Sequence, residues 1–275
     1  MLPLPPRLVV FFFVELCGCS LYLLLILLLA ISTDQSLKSP FFSLFISSGL
    51  AGIGTVSTSW LTHLINYLPV TKDSEILLNI AQILNGASIF SYTCGHFLIV
   101  MNRLSVLMHV DSAGHSWSPR KTSLLIIFQL SIPLLAHMYF AIAPVHWVND
   151  TYSGLENTTG SIISMQIYKS IQGFFYATFS IFGVTLNIVA YRRLRKISKS
   201  SSTVYKQQRA LFFYTATTTA THLLFALNQF VWAYAFLSHN ARLLSIEQKE
   251  IRPYIYDLTT FADPVILIIV SKPVR

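Results

Sequence analysis

The chain has 275 residues, 53% of them hydrophobic and 11% charged, with 19 Lys and Arg against 11 Asp and Glu and a net charge of +8. Its mean hydropathy is +0.59. Soluble domains carry about 25% charged residues, so a water-soluble globule of this length is excluded and lipid is the solvent that the composition suits.

A helix crosses a bilayer in about 20 mainly apolar residues, each rising about 1.5 Å. Seven segments meet that requirement: 8–31, 40–68, 76–101, 122–144, 167–191, 210–237 and 252–270. The first begins MLPLPPRLVVFFF and carries Glu15. Its apolar part runs for about 24 residues, longer than a signal-peptide core, and one Arg is a thin charged leader. It reads as a retained first helix. No charged residue falls inside 40–68, 76–101, 122–144, 170–191 or 210–237, whereas the seventh segment holds Arg252, Asp257 and Asp263. Pro264 removes a backbone donor and predicts a kink near the end of that helix. The spans together predict an all-α membrane protein, a seven-transmembrane helix bundle forming one domain over 1–275.

Seven crossings place the termini on opposite sides, and Lys and Arg decide which side is which. With the N-terminus outside and the C-terminus cytoplasmic, the inner segments 32–39, 102–121, 192–209 and 271–275 hold 13 of the 19 basic residues. Two glycosylation triplets, Asn149-Asp150-Thr151 and Asn157-Thr158-Thr159, fall in 145–166, which the same count places outside. Cys17, Cys19 and Cys94 lie within spans, so they read as small apolar fillers and not as a disulfide framework.

Polar side chains recur on one face of several spans. At about 100° per residue, Gln82, Asn85, Tyr92, His96 and Arg103 share a sector about 80° wide on the third span, along about 31 Å of helix. Ser48, Thr55, Ser59, Thr62 and Asn66 share a face of the second. The fifth shows Lys169, Gln172, Tyr176, Ser180 and Asn187, and the sixth Thr215, Thr218, Thr219, His222 and Gln229. On the seventh, Tyr256, Asp257, Thr260 and Asp263 fall together. A Ser or Thr hydroxyl can bond back to its own helix, but Asn85, His96, His222, Gln229 and Asp257 need partners. The stripes therefore predict a bundle with a hydrogen-bonded interior. Ionisable residues at membrane depth are costly and mark function, which singles out Asp257 and Asp263. Glu15 reads equally as the partner of a polar neighbour, as a residue snorkelling outward, or as functional.

Enzyme chemistry finds little support. The eight histidines include no HxxxH or HxxEH pair, and there is no GxSxG elbow and no phosphate-cradling glycine loop. No cofactor, metal site or nucleic-acid partner is implied. A transporter or channel using the polar interior remains as an alternative, although transporters commonly show internal repeats and none is visible here. Arg103 ends a stretch, Ile76 to Asn102, without a charged residue. By itself it reads as a positive-inside anchor; at the foot of the polar stripe it reads as a switch, with Asn102 as its neutral neighbour.

Four stretches carry a family resemblance: SPFFSLF (39–45) after a short first inner loop, MNR (101–103), Trp117 ahead of the fourth span, and DLTTFADPVILIIVSKPVR (257–275). Through them the chain resembles the serpentine G-protein-coupled receptors, and more closely the nematode chemoreceptors of serpentine receptor class gamma. MNR is similar to the Asp-Arg-Tyr motif of rhodopsin-like receptors, with Asn102 for the acid and Leu104 for the Tyr. ADPVIL is similar to Asn-Pro-x-x-Tyr, with Asp263 for Asn and no Tyr. The resemblance implies a chemosensory receptor in the plasma membrane of sensory neurons, binding a small-molecule cue and coupling to a heterotrimeric G protein.

It also implies a ligand in the outer half of the bundle that shifts a two-state equilibrium read at the inner face. Helical phase and depth select Asn66, Gln82, Asn85, Gln172, Tyr176, Gln229 and Trp232 as ligand-binding candidates. Asn102, Arg103, Asp257, Asp263 and Pro264 are the switch candidates. The lining is nearly uncharged and suits a neutral or weakly polar ligand, while Lys169 leaves room for an anion. The inner segment YRRLRKISKSSSTVYKQQR (191–209) has three readings: topology and binding of acidic lipid, docking of a G protein, and regulation by phosphorylation at Ser198, Ser200, Ser201, Ser202 or Thr203.

Overall fold

The computed structural model describes residues 6–65, 72–109, 117–138, 145–148, 156–159, 162–197, 202–238 and 251–270. These contain seven α-helices: α1 Pro6–Ile31, α2 Pro40–Ile65, α3 Lys72–Met108, α4 Pro119–His137, α5 Ile162–Ile197, α6 Ser202–Leu237 and α7 Arg252–Val270. A 3-10 turn, Gln35–Lys38, leads into α2. One antiparallel hairpin, β1 Val145–Val148 with β2 Glu156–Thr159, is the only strand pairing among the described residues.

On their described residues α1, α2, α3, α5 and α6 are long and apolar enough to cross a membrane. The first has the highest mean hydropathy of the five, 2.5 over Phe12–Ile31, so one carboxyl at Glu15 hardly weakens it. The fourth span was expected to be charge-free over 122–144. Its described helix instead begins Pro119-Arg120-Lys121 and ends at His137, with 139–144 outside the described residues. Ser118 caps it, its Oγ accepting from Lys121 N at 3.2 Å, and Pro119 occupies the first helical position, where its missing donor costs nothing. In α7 the charges of Arg252, Asp257 and Asp263 dilute the apolar content, and the helix runs on through Pro264. Helices α3, α5 and α6 outrun their apolar spans because Arg, Lys, Gln and Leu extend a nucleated helix at little cost.

The helices close a ring. α1 packs on α2, α2 on α3 and α4, α3 on α5, α5 on α6, α6 on α7, and α7 returns to α1; α3 also touches α4 and α6. α1 and α7 run parallel, as Tyr22 meeting Asp263 and Glu15 meeting Asp257 require, so the start of α1 and the end of α7 lie at opposite ends of the bundle. One end is sealed by Tyr22, Phe41, Leu44, Phe45, Ile99, Tyr214 and Leu267, all fully buried.

Exposed apolar side chains such as Leu28, Phe128, Leu135, Phe174, Ile181 and Leu227 cover the outside of the ring. Such a surface suits acyl chains, where it costs nothing to leave Leu and Phe uncovered. The polar stripes turn inward: Ser48, Thr55, Tyr92, His96, Asn187, Thr215, His222 and Thr260 are all buried. Some hydroxyls do bond back to their own helix, as Thr55 Oγ1 does to Ala51 O at 3.0 Å. Others join helices. Asn187 Nδ2 donates to Thr219 Oγ1 at 2.7 Å and its Oδ1 accepts from Thr215 Oγ1 at 3.1 Å, tying α5 to α6. Gln129, outside every stripe, binds α4 to α2 and α3 by accepting from Ser47 Oγ at 2.9 Å and donating to Ser91 O at 3.1 Å.

Candidate functional site

Asp263 is the centre of the buried polar network, with none of its surface exposed. The polar side of α7 faces α3, where Tyr92 and His96 stand one turn apart on the same face. Tyr92 donates its hydroxyl proton to Asp263 Oδ2 or to Thr259 O, each at 2.6 Å, and one proton serves one acceptor at a time. His96 Nε2 lies 2.5 Å from the same carboxyl oxygen. Tyr22 of α1 adds a longer contact, its hydroxyl 3.5 Å away. His222 of α6 closes the cluster, its ring 4.2 Å from that of His96 and 5.1 Å from that of Tyr92 between centroids. Side chains of α1 and α3 thus converge on the α7 carboxyl, with α6 packed behind them, and without those donors the carboxyl would be strongly unfavourable at this depth.

Several polar atoms of the cluster have no hydrogen-bond partner among the described residues: Asp263 Oδ1, His96 Nδ1 and both ring nitrogens of His222. His222 is only 6% exposed. Buried polar atoms of this kind are normally satisfied by a bound molecule, water or ligand. A small cavity opens beside them, lined by Thr55, Ile89, Tyr92, Thr93, His222, Phe225, Tyr256, Thr259 and Thr260. Its free space is little more than one water molecule, so a larger occupant requires the helices to part.

None of the ligand-binding candidates with a described side chain lines this cavity. Asn85 Nδ2 donates to the Thr55 carbonyl at 3.4 Å, directly behind the wall. Tyr176 is fully buried and meets Phe225 edge-on at 5.1 Å, with Gln172 Nε2 donating to its hydroxyl at 3.3 Å. Gln229 is buried and Gln82 half-buried. Asn66 lies outside the described residues, as does the side chain of Trp232 on α6. Tyr92 of the cavity wall sits ten residues, about 15 Å, farther along α3 than Gln82. Tyr92, His222 and Thr260 carried the signal, since all three belong to the stripes; Thr259 and Phe225 carried none.

At the sealed end, Asn102 and Arg103 are buried, at 2% and 7% exposure. The Arg103 guanidinium lies 4.0 Å over the Phe41 ring, its Nε has no hydrogen-bond partner, and it forms no ion pair among the described residues. Asn102 Nδ2 is likewise unpartnered. Between this cation and Asp263 runs a chain of rings: Tyr22 on Phe45 at 5.5 Å, Phe45 on Tyr214 at 6.1 Å, and Tyr214 on Phe41 at 5.6 Å. The Tyr214 hydroxyl is buried without a hydrogen-bond partner among the described residues.

Asp257 is half-buried and bonded to the Glu15 carboxyl, which also accepts from the Trp60 indole of α2. Of the readings open for Glu15, the polar-partner one describes its surroundings. Pro264 is buried next to Asp263. Asn157 lies in β2 opposite Trp147, and Asn149 lies outside the described residues.

Residues 8–275 match the family model of the Srg family chemoreceptor. The chain belongs to the Srg family. No curated protein matches it. Srg proteins are the nematode serpentine receptor class gamma, a family of membrane-spanning chemoreceptors and not of enzymes. In this Srg chain the two family-like motifs, MNR on α3 and ADPVIL on α7, supply the two ends of the ring stack, Arg103 and Asp263.

Proposed function

We propose that the protein is a chemosensory G-protein-coupled receptor: one seven-helix domain with its N-terminus outside, in the plasma membrane of sensory neurons. A small-molecule cue binds in the outer half of the bundle, among Asn66, Gln82, Asn85, Gln172, Tyr176, Gln229 and Trp232, and opens the cavity beside Tyr92 and His222. The observation that carries the reading is Arg103, a buried guanidinium on Phe41 with no ion pair among the described residues. A cation desolvated without a counter-ion is costly, so the state seen is one that a modest bias can shift. Ligand that parts α3 from α6 and α7 favours the alternative, in which Arg103 leaves the Phe41 ring and meets the heterotrimeric G protein on the cytoplasmic face. Asn102, Asp257, Asp263 and Pro264 bias the same equilibrium. A ligand moves it only by its differential affinity for the two states.

The experiment is ligand-stimulated nucleotide exchange on a G protein, with a panel of small volatile and soluble cues and a second-messenger reporter. Arg103→Ala is expected to lower stimulated exchange at least tenfold at unchanged surface expression. Unaltered exchange together with substrate flux into vesicles establishes the alternative, a transporter or channel. The aromatic seal at the Arg103 end disfavours that alternative, because a conduction path needs polar or wet walls along its whole length.

Orientation has its own test. Asn157→Gln and Asn149→Gln are each expected to remove one glycan-dependent step in electrophoretic mobility when the chain is made in microsomes. A chain that acquires no glycan at either site places 145–166 on the cytoplasmic side and reverses the assignment.

A further inference from the structure

The polar groups lining the cavity beside His222 are mainly acceptors. Thr55 Oγ1 donates its proton to Ala51 O at 3.0 Å, Thr93 Oγ1 to Ile89 O at 3.1 Å, and Thr259 Oγ1 to Ile255 O at 2.6 Å. The Tyr92 proton goes to Asp263 Oδ2 or to Thr259 O. These hydroxyl oxygens keep lone pairs to offer and have no proton left to give. His222 in its neutral form supplies one donor and one acceptor, and neither ring nitrogen has a hydrogen-bond partner among the described residues. Asp263 Oδ1, behind Tyr92, is a further acceptor of that kind. No Lys or Arg pairs with this carboxyl among the described residues.

Much of the remaining wall is aromatic. Phe225 packs on Tyr256 at 5.3 Å and Tyr92 on His222 at 5.1 Å between centroids, and all four side chains line the cavity. Ring faces attract a cation, most strongly where water is excluded. These walls therefore fit an occupant that is small, positively charged and rich in donors. Water matches the size, but it takes hydrogen bonds as well as giving them, and the wall has few protons to give. An alcohol brings a single proton. A bare alkali ion matches the charge but is held by a shell of oxygens, which the rings leave incomplete. An ammonium group gives three protons and carries the charge that the carboxyl and the rings favour.

We propose that this cavity binds the ammonium head of a small primary amine. Its N–H groups reach Asp263 Oδ1, a His222 nitrogen and the threonine oxygens, while the carbon it carries lies against Phe225 and Tyr256. Binding there requires no G protein, so the site stands or falls apart from the receptor reading.

The test titrates the full chain in nanodiscs with radiolabelled methylammonium, each variant being held below its own thermal midpoint. Wild type is expected to bind the probe saturably, with ammonium competing. Potassium lacks the donors and methanol lacks the charge, so each competes about tenfold less well or worse. Asp263→Asn removes the charge and is expected to weaken binding about thirtyfold or more. Phe225→Leu leaves every hydrogen bond of the cluster in place and removes one ring, for a loss of about threefold to thirtyfold. His222→Phe keeps a ring and removes both nitrogens, for a loss of about tenfold. Absence of saturable binding in wild type overturns the proposal. Potassium or methanol competing as well as ammonium also overturns it, and marks a site for a bare ion or for water. Wild-type affinity in any of the three variants does the same.

Discussion

Asp263→Ala lowers the unfolding midpoint of the detergent-solubilised protein by about 10 °C, for a cost of about 3–5 kcal/mol. The substitution removes the acceptor shared by the Tyr92 hydroxyl and His96 Nε2 and reached by Tyr22. It leaves those donors buried without their acceptor, and the penalty is the desolvation of orphaned polar groups more than the loss of the bonds. Asp263→Asn keeps one acceptor and offers an N–H to His96, so it recovers at least half of the loss. Asp263→Leu, which fills the volume but meets no donor, resembles Ala. An unchanged midpoint for Asp263→Ala means that the carboxyl is not the centre on which α1, α3 and α7 converge. The same substitution frees α7 beside the Tyr214 hydroxyl and the ring chain leading to Arg103, so activity in ligand's absence is the second readout.

The second large effect has opposite signs at two glycines. In a helix interior, Gly→Ala is favourable by about 1 kcal/mol from backbone entropy alone. At Gly173 of α5 a Cβ meets nothing within contact distance, so Gly173→Ala stabilises by about that amount. At Gly95 of α3 a Cβ would overlap Ser48 Oγ of α2 and Gln129 Nε2 of α4. Neither neighbour can swing away freely: Gln129 is held by Ser47 and Ser91. Gly95→Ala therefore forces α3 away from two helices at once. The overpacking cost, about 1–3 kcal/mol, exceeds the propensity gain before the broken Gln129 bonds are counted. Thermal midpoints of the two variants moving in the same direction would show that the α2–α3–α4 contact is looser than its packing implies.

The two effects share a cause. In lipid the helices gain little by hiding apolar surface, since acyl chains are as apolar as Leu. What selects this arrangement is close backbone approach, as at Gly95, and polar groups that find partners only in one packing, as at Asp263, Asn187 and Gln129. Arg103 is the cation among the groups that the packing leaves unpaired, together with the Tyr214 hydroxyl, Asp263 Oδ1 and both His222 ring nitrogens. Those unsatisfied positions are where the described bundle can change at least cost.

How much of this was legible beforehand depended on how local each property is. Crossing segments follow from runs of hydropathy, and α1, α2, α3, α5 and α6 are long and apolar enough to cross a membrane on their described residues. Which face of each helix turns inward followed from phase, because 100° per residue converts position into direction. The order of basic segments bears on orientation for the same reason. The small cavity beside Tyr92 and His222 lies about 15 Å farther along α3 than Gln82. Depth needs the height of each helix against its neighbours, and single spans carry no information on that.

The sequence by itself determined the solvent, the helices and their inward faces, since these are properties of ten to twenty neighbouring residues. Only the tertiary structure decided partners. Tyr92 and Asp263 are 171 positions apart and His96 and Asp263 are 167, and nothing in either neighbourhood names the other. That Arg103 lies on Phe41, that Glu15 faces Asp257, and that His222 lies beside His96 depend on the rotation and height of whole helices. Those are set by how rigid rods with uneven surfaces fit together, and a stripe read along one rod cannot contain them.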